Sequence, residues 1–132
     1  MSEENEQAVR RLYEAYGAMD IATIDASMAE DIVMHIAGDH PLAGNKVGKA
    51  AAWAYLGTVS EISGGQGGFD LHALGTDDRG FVIALLTGTI RDFVRPVVHV
   101  QRLVGGKVAE YWDASLDQPA EDAFWRSAIT GT

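Results

Sequence analysis

Cysteine is absent from the 132 residues, which excludes disulfides, thiolate catalysis and Cys-ligated zinc. Basic residues are scarce. Ten lysines and arginines stand against nineteen acidic residues, a net charge of −9, and this disfavours nucleic acid and anionic membranes as partners. No apolar run approaches the length of a membrane span. The N-terminal MSEENEQAVRR is polar and acidic, unlike a signal or transit peptide, so the expected location is cytoplasmic. Internal repeats and low-complexity tracts are also missing; the nearest approach, Ser63-Gly64-Gly65-Gln66-Gly67-Gly68, is too short to separate domains. What remains is one domain, 1–132, long enough to bury a core without covalent staples.

From about Glu3 to Met19, Val9, Leu12, Tyr13 and Tyr16 recur at helical spacing. Asp20 is placed to cap a short second helix bearing Ile21, Ile24 and Met28. Ile32–Ala37 reads as a short strand, and Gly38-Asp39-His40-Pro41-Leu42-Ala43-Gly44-Asn45 as a loop full of breakers. A third, alanine-rich helix is expected over Val47–Ile62. Strands follow near Phe69–Gly75, Phe81–Arg91, Phe93–Leu103 and Lys107–Asp113, then a short helix around Glu121–Ala128. Pro96 cannot donate to a ladder and should sit at a bulge or an unpaired position. Helices first and antiparallel strands afterwards predict an α+β fold: a cone-like curved antiparallel sheet with about three helices on its concave face.

The most informative stretch is Phe93–Gln118, two apolar strands joined at glycines, with His99 on the first strand and Asp113 ending the second. An ionisable group on such a strand is costly unless it is paired or meets a cavity, so the two form a candidate acid–base pair. Their relation depends on the turn. If Gly105-Gly106 is a two-residue loop, His99 faces Trp112 and Asp113 lies on the other side of the sheet. If Val104-Gly105-Gly106 forms a bulged three-residue loop, His99 faces Tyr111 with Asp113 diagonally beside it. The bulged turn is favoured, because it gathers Val97, His99, Gln101, Ala109, Tyr111 and Asp113 on one face. Val98, Val100, Arg102, Val108, Glu110 and Trp112 then form an outer face suited to a second subunit.

Each candidate has a plainer reading. His99 reads also as a core histidine bonded to Tyr111 or to a carbonyl, and Asp113 as a strand-end cap. His35 joins the pocket if it points inward and is solvated or at an interface if it points outward. Asp39 and His40 lie in a loop where both residue types serve the backbone. Tyr16 and Trp53 are core aromatics that can also hold a planar ligand. His35, His40, His72 and His99 show no tight ligand spacing, so no metal site is expected.

His40-Pro41-Leu42-Ala43-Gly44 followed by Val47-Gly48-Lys49-Ala50-Ala51, and the final Gly106–Asp113 strand, resemble the nuclear-transport-factor-2-like superfamily and within it the SnoaL-like polyketide cyclases, close to the ketosteroid isomerases. The resemblance covers about Gln7 to Trp125. In the cyclases a histidine on the penultimate strand and an aspartate on the last lie in the pocket, and the aspartate is the proposed acid/base. His99 and Asp113, fourteen residues apart, match that arrangement. In the isomerases the base lies in the loop before the third helix, at about Asp39, and a tyrosine donor near Tyr13 or Tyr16. Epoxide hydrolases of this fold use an Asp–Arg–Asp group, for which Arg102, pointing away from Asp113, offers no equivalent.

The resemblance implies a cofactor-independent cyclase or dehydratase. It would act on a small apolar carbonyl compound such as a polyketide intermediate. Asp113, His99 and Asp39 would be catalytic, and Tyr16, His35, His40, Trp53, Gln101 and Tyr111 would bind substrate. A buried site would raise the aspartate pKa toward working pH. The alternatives are an isomerase with Asp39 as base, or a non-catalytic small-molecule binder. A homodimer through the outer sheet face is expected.

Overall fold

The computed structural model describes residues 2–131. Helix α1 (Ser2–Ala18) turns through Met19 into α2 (Ile21–Ala26), whose Asp20 cap accepts from the Thr23 amide as anticipated. Strand β1 (Met28–Ile36) and a short edge strand β2 (Gly44–Val47) precede α3 (Lys49–Ser63). Then come β3 (Gly67–Thr76), β4 (Phe81–Ile90), β5 (Phe93–Val104), β6 (Lys107–Ser115) and α4 (Gln118–Thr130). The six strands form one curled, unclosed sheet in the order β2-β1-β6-β5-β4-β3. All neighbours are antiparallel except β1 and β6, which run parallel.

Alternation along the strands determines which face is buried. Val82, Ala84 and Leu86 of β4, Val97, His99 and Gln101 of β5, and Ile32, Met34 and Ile36 of β1 point into the concave side. Val9, Leu12, Tyr13 and Ala15 of α1, together with Ala52 and Tyr55 of α3, complete the core there. The final helix is longer than expected: Asp117 caps it and Pro119 occupies its first turn. Pro96 lies within central strand β5, opposite Thr87 of β4, but one position beyond the last β5–β6 pair, Val97–Ser115, where the missing donor ends the ladder.

The β5–β6 hairpin corrects the expected turn. Gly105 and Gly106, with φ of +59° and +78°, form a two-residue loop that places Val104 opposite Lys107. The extra residue lies on β6 instead: Leu103 pairs with Val108 and Arg102 with Glu110, which leaves Ala109 as a bulge. From that point the register is shifted by one, so His99 faces Asp113 directly, and Gln101 faces Tyr111. Both reach the concave side, as expected, through a bulge in a different place. Val108, assigned to the outer face from sequence, lies before the shift and is buried in the core.

Candidate active site

Four alternate residues of β5 (Arg95, Val97, His99 and Gln101) share the inner face. Their partners on β4 are small where the β5 residue is long and polar: Gly88 lies opposite Arg95 and Ala84 opposite His99. A Cβ at Gly88 would stand 3.2 Å from Arg95 Cγ, so glycine leaves the guanidinium stem its path across the strand. The polar groups join in one buried chain. Gln101 Nε2 donates to Tyr13 Oη at 2.8 Å, and Tyr13 Oη lies 2.8 Å from His99 Nδ1. His99 Nε2 lies 2.9 Å from Tyr111 Oη and 3.3 Å from Asp113 Oδ2, and the Tyr111 hydroxyl donates to the same oxygen at 3.3 Å. Arg95 Nη2 donates to Asp113 Oδ1 at 3.2 Å, and its Nε to Glu121 Oε2 at 2.8 Å. Trp125 Nε1 donates to that Glu121 oxygen, also at 2.8 Å.

Burial acts to raise the Asp113 carboxyl, but the His99 imidazole beside it, and then the Arg95 guanidinium, outweigh burial and hold it down at about 2. The expectation of an aspartate raised toward working pH is therefore overturned: Asp113 rests as a carboxylate. Burial, with the Asp113 charge added, pushes the Tyr111 hydroxyl well above its ordinary range, and burial likewise raises Tyr13. Both phenols remain protonated donors. Arg95, although burial opposes its charge, is held more firmly cationic by Asp113 and Glu121.

Of the residues predicted from sequence, His99, Asp113, Gln101 and Tyr111 are brought together. The others are not. Asp39 is 96% exposed at its side chain and paired with Arg126 of α4 at 3.0 Å, which removes it from the interior as a base. The cause is β2: by pairing with β1 it carries the 38–43 loop to the sheet edge, where α4 fastens it. His40 spans that loop, its Nδ1 accepting from the Leu42 amide and its Nε2 beside the Ala37 carbonyl. His35 points outward, stacked on Trp112 with ring centroids 5.0 Å apart and 2.8 Å from Glu110. Trp53 commits its indole N–H to Asp25. Tyr16 packs half-buried against the core, its hydroxyl pushed up to about 12 by burial, and Tyr13 is the α1 tyrosine that meets His99.

Sequence reasoning missed Arg95 and Glu121. Arg102 does point outward, to Glu110 at 3.1 Å, but Arg95 bridges two carboxylates, so the absence of an arginine clamp is also corrected. Arg95 was detectable as the residue two alternations before His99. Glu121 carried a weaker signal, its spacing of four from Trp125 on one helix face. Glu121 and its clamp differ from a pair of carboxylates open to water, because Arg95 and Trp125 occupy its oxygens.

Among the described residues, no group of three or more His, Cys, Asp or Glu side chains is gathered so as to hold a metal ion, and no helix is long and apolar enough to cross a membrane. A cleft of about 580 Å³ lies between the start of α1 and the turns at Asp77 and Gly105, and a smaller one of about 320 Å³ between α1 and α2. Neither is lined by His99 or Asp113.

The chain is similar over 95% of its length to Bal32a from a soil-derived mobile gene cassette, with 27% identity, 98% of that chain covered and a TM-score of 0.90. An NTF2-like protein of Burkholderia xenovorans shares 26% identity over 96% of this chain and 98% of its own, with a TM-score of 0.76. A putative ketosteroid isomerase of Kribbella flavida, at 16% identity, 88% and 80% coverage and a TM-score of 0.72, shares the fold. No curated protein matches the chain. The model of the SnoaL-like domain matches residues 9–111, and the protein belongs to the SnoaL-like family.

Proposed function

We propose that the protein is a cofactor-independent acid–base enzyme of the cyclase or dehydratase type, acting on a small apolar carbonyl compound such as a polyketide intermediate. The observation that carries this reading is the buried juxtaposition of a carboxylate, Asp113, with two donors directed at the same oxygen, His99 and Tyr111. Asp113 receives the proton removed next to the substrate carbonyl, and His99 and Tyr111 donate to the developing enolate oxygen. A carboxylate held at about 2 is a weak base, so the donors must supply most of the barrier reduction. With His99 8% and Asp113 6% exposed and neither lining a cleft, the site is closed in the ligand-free protein, and turnover requires the packing around it to open.

The decisive experiment is single-turnover assay of planar carbonyl compounds with wild type, Asp113→Asn and His99→Gln. Loss of a general base typically costs about a hundred- to ten-thousand-fold in rate. Asp113→Asn should fold with reduced stability and still bind, while kcat falls by that range. Retention of wild-type rates by both variants would remove the assignment. Tight binding with no turnover in wild type would establish a binding protein instead.

The outer sheet face supports a second part of the reading, a homodimer. Ile83 and Leu85 are 41% and 44% exposed there, and Trp112, Val98 and Val100 continue the surface.

A further inference from the structure

Gln101 is 1% exposed, and its Oε1 has no hydrogen-bond partner among the described residues. Leaving such an acceptor unmet costs about 1–3 kcal/mol, so the position calls for a reason. The neighbouring hydrogens supply one. An amide nitrogen can only donate, so with Gln101 Nε2 on Tyr13 Oη the phenol must send its own proton elsewhere. The atom facing it at 2.8 Å is His99 Nδ1. Nδ1 is then an acceptor, and the imidazole proton resides on Nε2, toward Tyr111 and Asp113. Turning the amide would give Tyr13 an acceptor, but it would leave an NH₂ buried without a partner, and orphaned N–H groups are rarer than under-satisfied carbonyl oxygens.

We propose that Gln101 is a positioning residue that acts through Tyr13 to hold His99 neutral with its proton on Nε2. The unpartnered Oε1 is the counterpart of that arrangement. It becomes a partner for the Tyr13 hydroxyl only when the amide rotates, and that step must accompany protonation of His99 at Nδ1. For the proposed reaction this keeps His99 a neutral N–H donor toward the substrate oxygen. The location of the proton is nonetheless a property of the ligand-free protein and stands apart from the catalytic reading. The titratable and charged groups around His99 are Tyr13 from α1 and Tyr111 and Asp113 from β6, with Arg95 of β5 and Tyr55 of α3 behind Asp113 and Tyr16 of α1 beyond Tyr13 and Tyr111.

The test is ¹⁵N NMR of the His99 ring in the ligand-free protein at neutral pH, for wild type, Gln101→Leu and Gln101→Glu. Wild type should show an unprotonated Nδ1 and a protonated Nε2. Gln101→Leu removes the donor that occupies the Tyr13 oxygen and frees that oxygen to accept from Nδ1–H, so the share of the Nδ1-protonated ring should rise. An unchanged tautomer in this variant would overturn the positioning role. Gln101→Glu offers the Tyr13 hydroxyl an acceptor, so Nδ1 should become protonated. A wild-type ring with its proton on Nδ1 would overturn the proposal, whether or not the variants fold. So would a Gln101→Glu spectrum identical to wild type. If the tautomer behaves as stated while Asp113→Asn keeps full activity, the positioning role holds and only the catalytic reading falls.

Discussion

Arg95 is the cation on which the interior depends. Its guanidinium sits between Asp113 and Glu121, with its side chain 13% exposed and theirs 7% and 3%. Removing one partner of such a buried group costs about 3–5 kcal/mol, because it strands the remaining charge. Arg95→Met should therefore lower the unfolding free energy by that amount, and Arg95→Lys, which keeps the charge and loses the fork, by less. In whichever variant folds, the acid limb of kcat/KM should move to higher pH, because loss of a cation raises the Asp113 carboxyl. The same group makes a prediction about stability. The folded pKa of Asp113, about 2, lies below its ordinary 3.8, so the carboxylate stabilises the fold above roughly pH 4 and this is lost as pH falls through 2. The contribution is about 2 kcal/mol. Urea midpoints recorded between pH 2 and 5 should fall steeply for wild type and less for Asp113→Asn.

At the scale of elements, one inserted residue decides the chemistry. Ala109 turns the β6 alternation over, so that Tyr111 and Asp113 join the face of His99 and Gln101. Deleting Ala109 should move Asp113 to the outer face and bury Trp112 in its place. Circular dichroism and urea denaturation would register this as a loss of several kcal/mol, or failure to fold. Much of this was legible in the chain. The strand alternation and the fourteen-residue spacing pointed to a shared face for His99 and Asp113. The location of the bulge was not legible, because glycines compatible with two turn lengths precede an alanine compatible with either side. Asp39 is a different case: its place depends on β2, a four-residue edge strand too short to show a period in the sequence. Arg95 and Glu121 were overlooked because each makes sense only beside the other, from elements more than twenty residues apart.

For the molecule as a whole, the two faces of the sheet divide the work. The concave face is filled from α1, α3 and the final helix. The outer face presents Trp112 stacked on His35 and near Phe81, amid Ile83, Leu85, Val98 and Val100. Trp112→Asp would place a charge at the centre of the proposed subunit contact. Light scattering at micromolar concentration should show a dimer for wild type and a monomer for the variant, with the His99 ring resonances unchanged in both. A monomeric wild type would remove the dimer from the reading.

The parallel pairing of β1 with β6 has a consequence for how the molecule comes into being. Met34 lies beside Tyr111, and His35 beside Trp112, across most of the chain. Such distant pairings carry a loop-closure cost before any contact compensates for it, and they place a fold among the slower ones. On the ribosome, β1 can pair only with its short neighbour β2 until β6 has been made, and its other edge waits open. The strand that carries Asp113 also closes that edge. The His99–Asp113 pairing and the sheet are thus completed in one event of synthesis, Glu121 joining Arg95 only with α4, and a chain released before residue 115 would have neither.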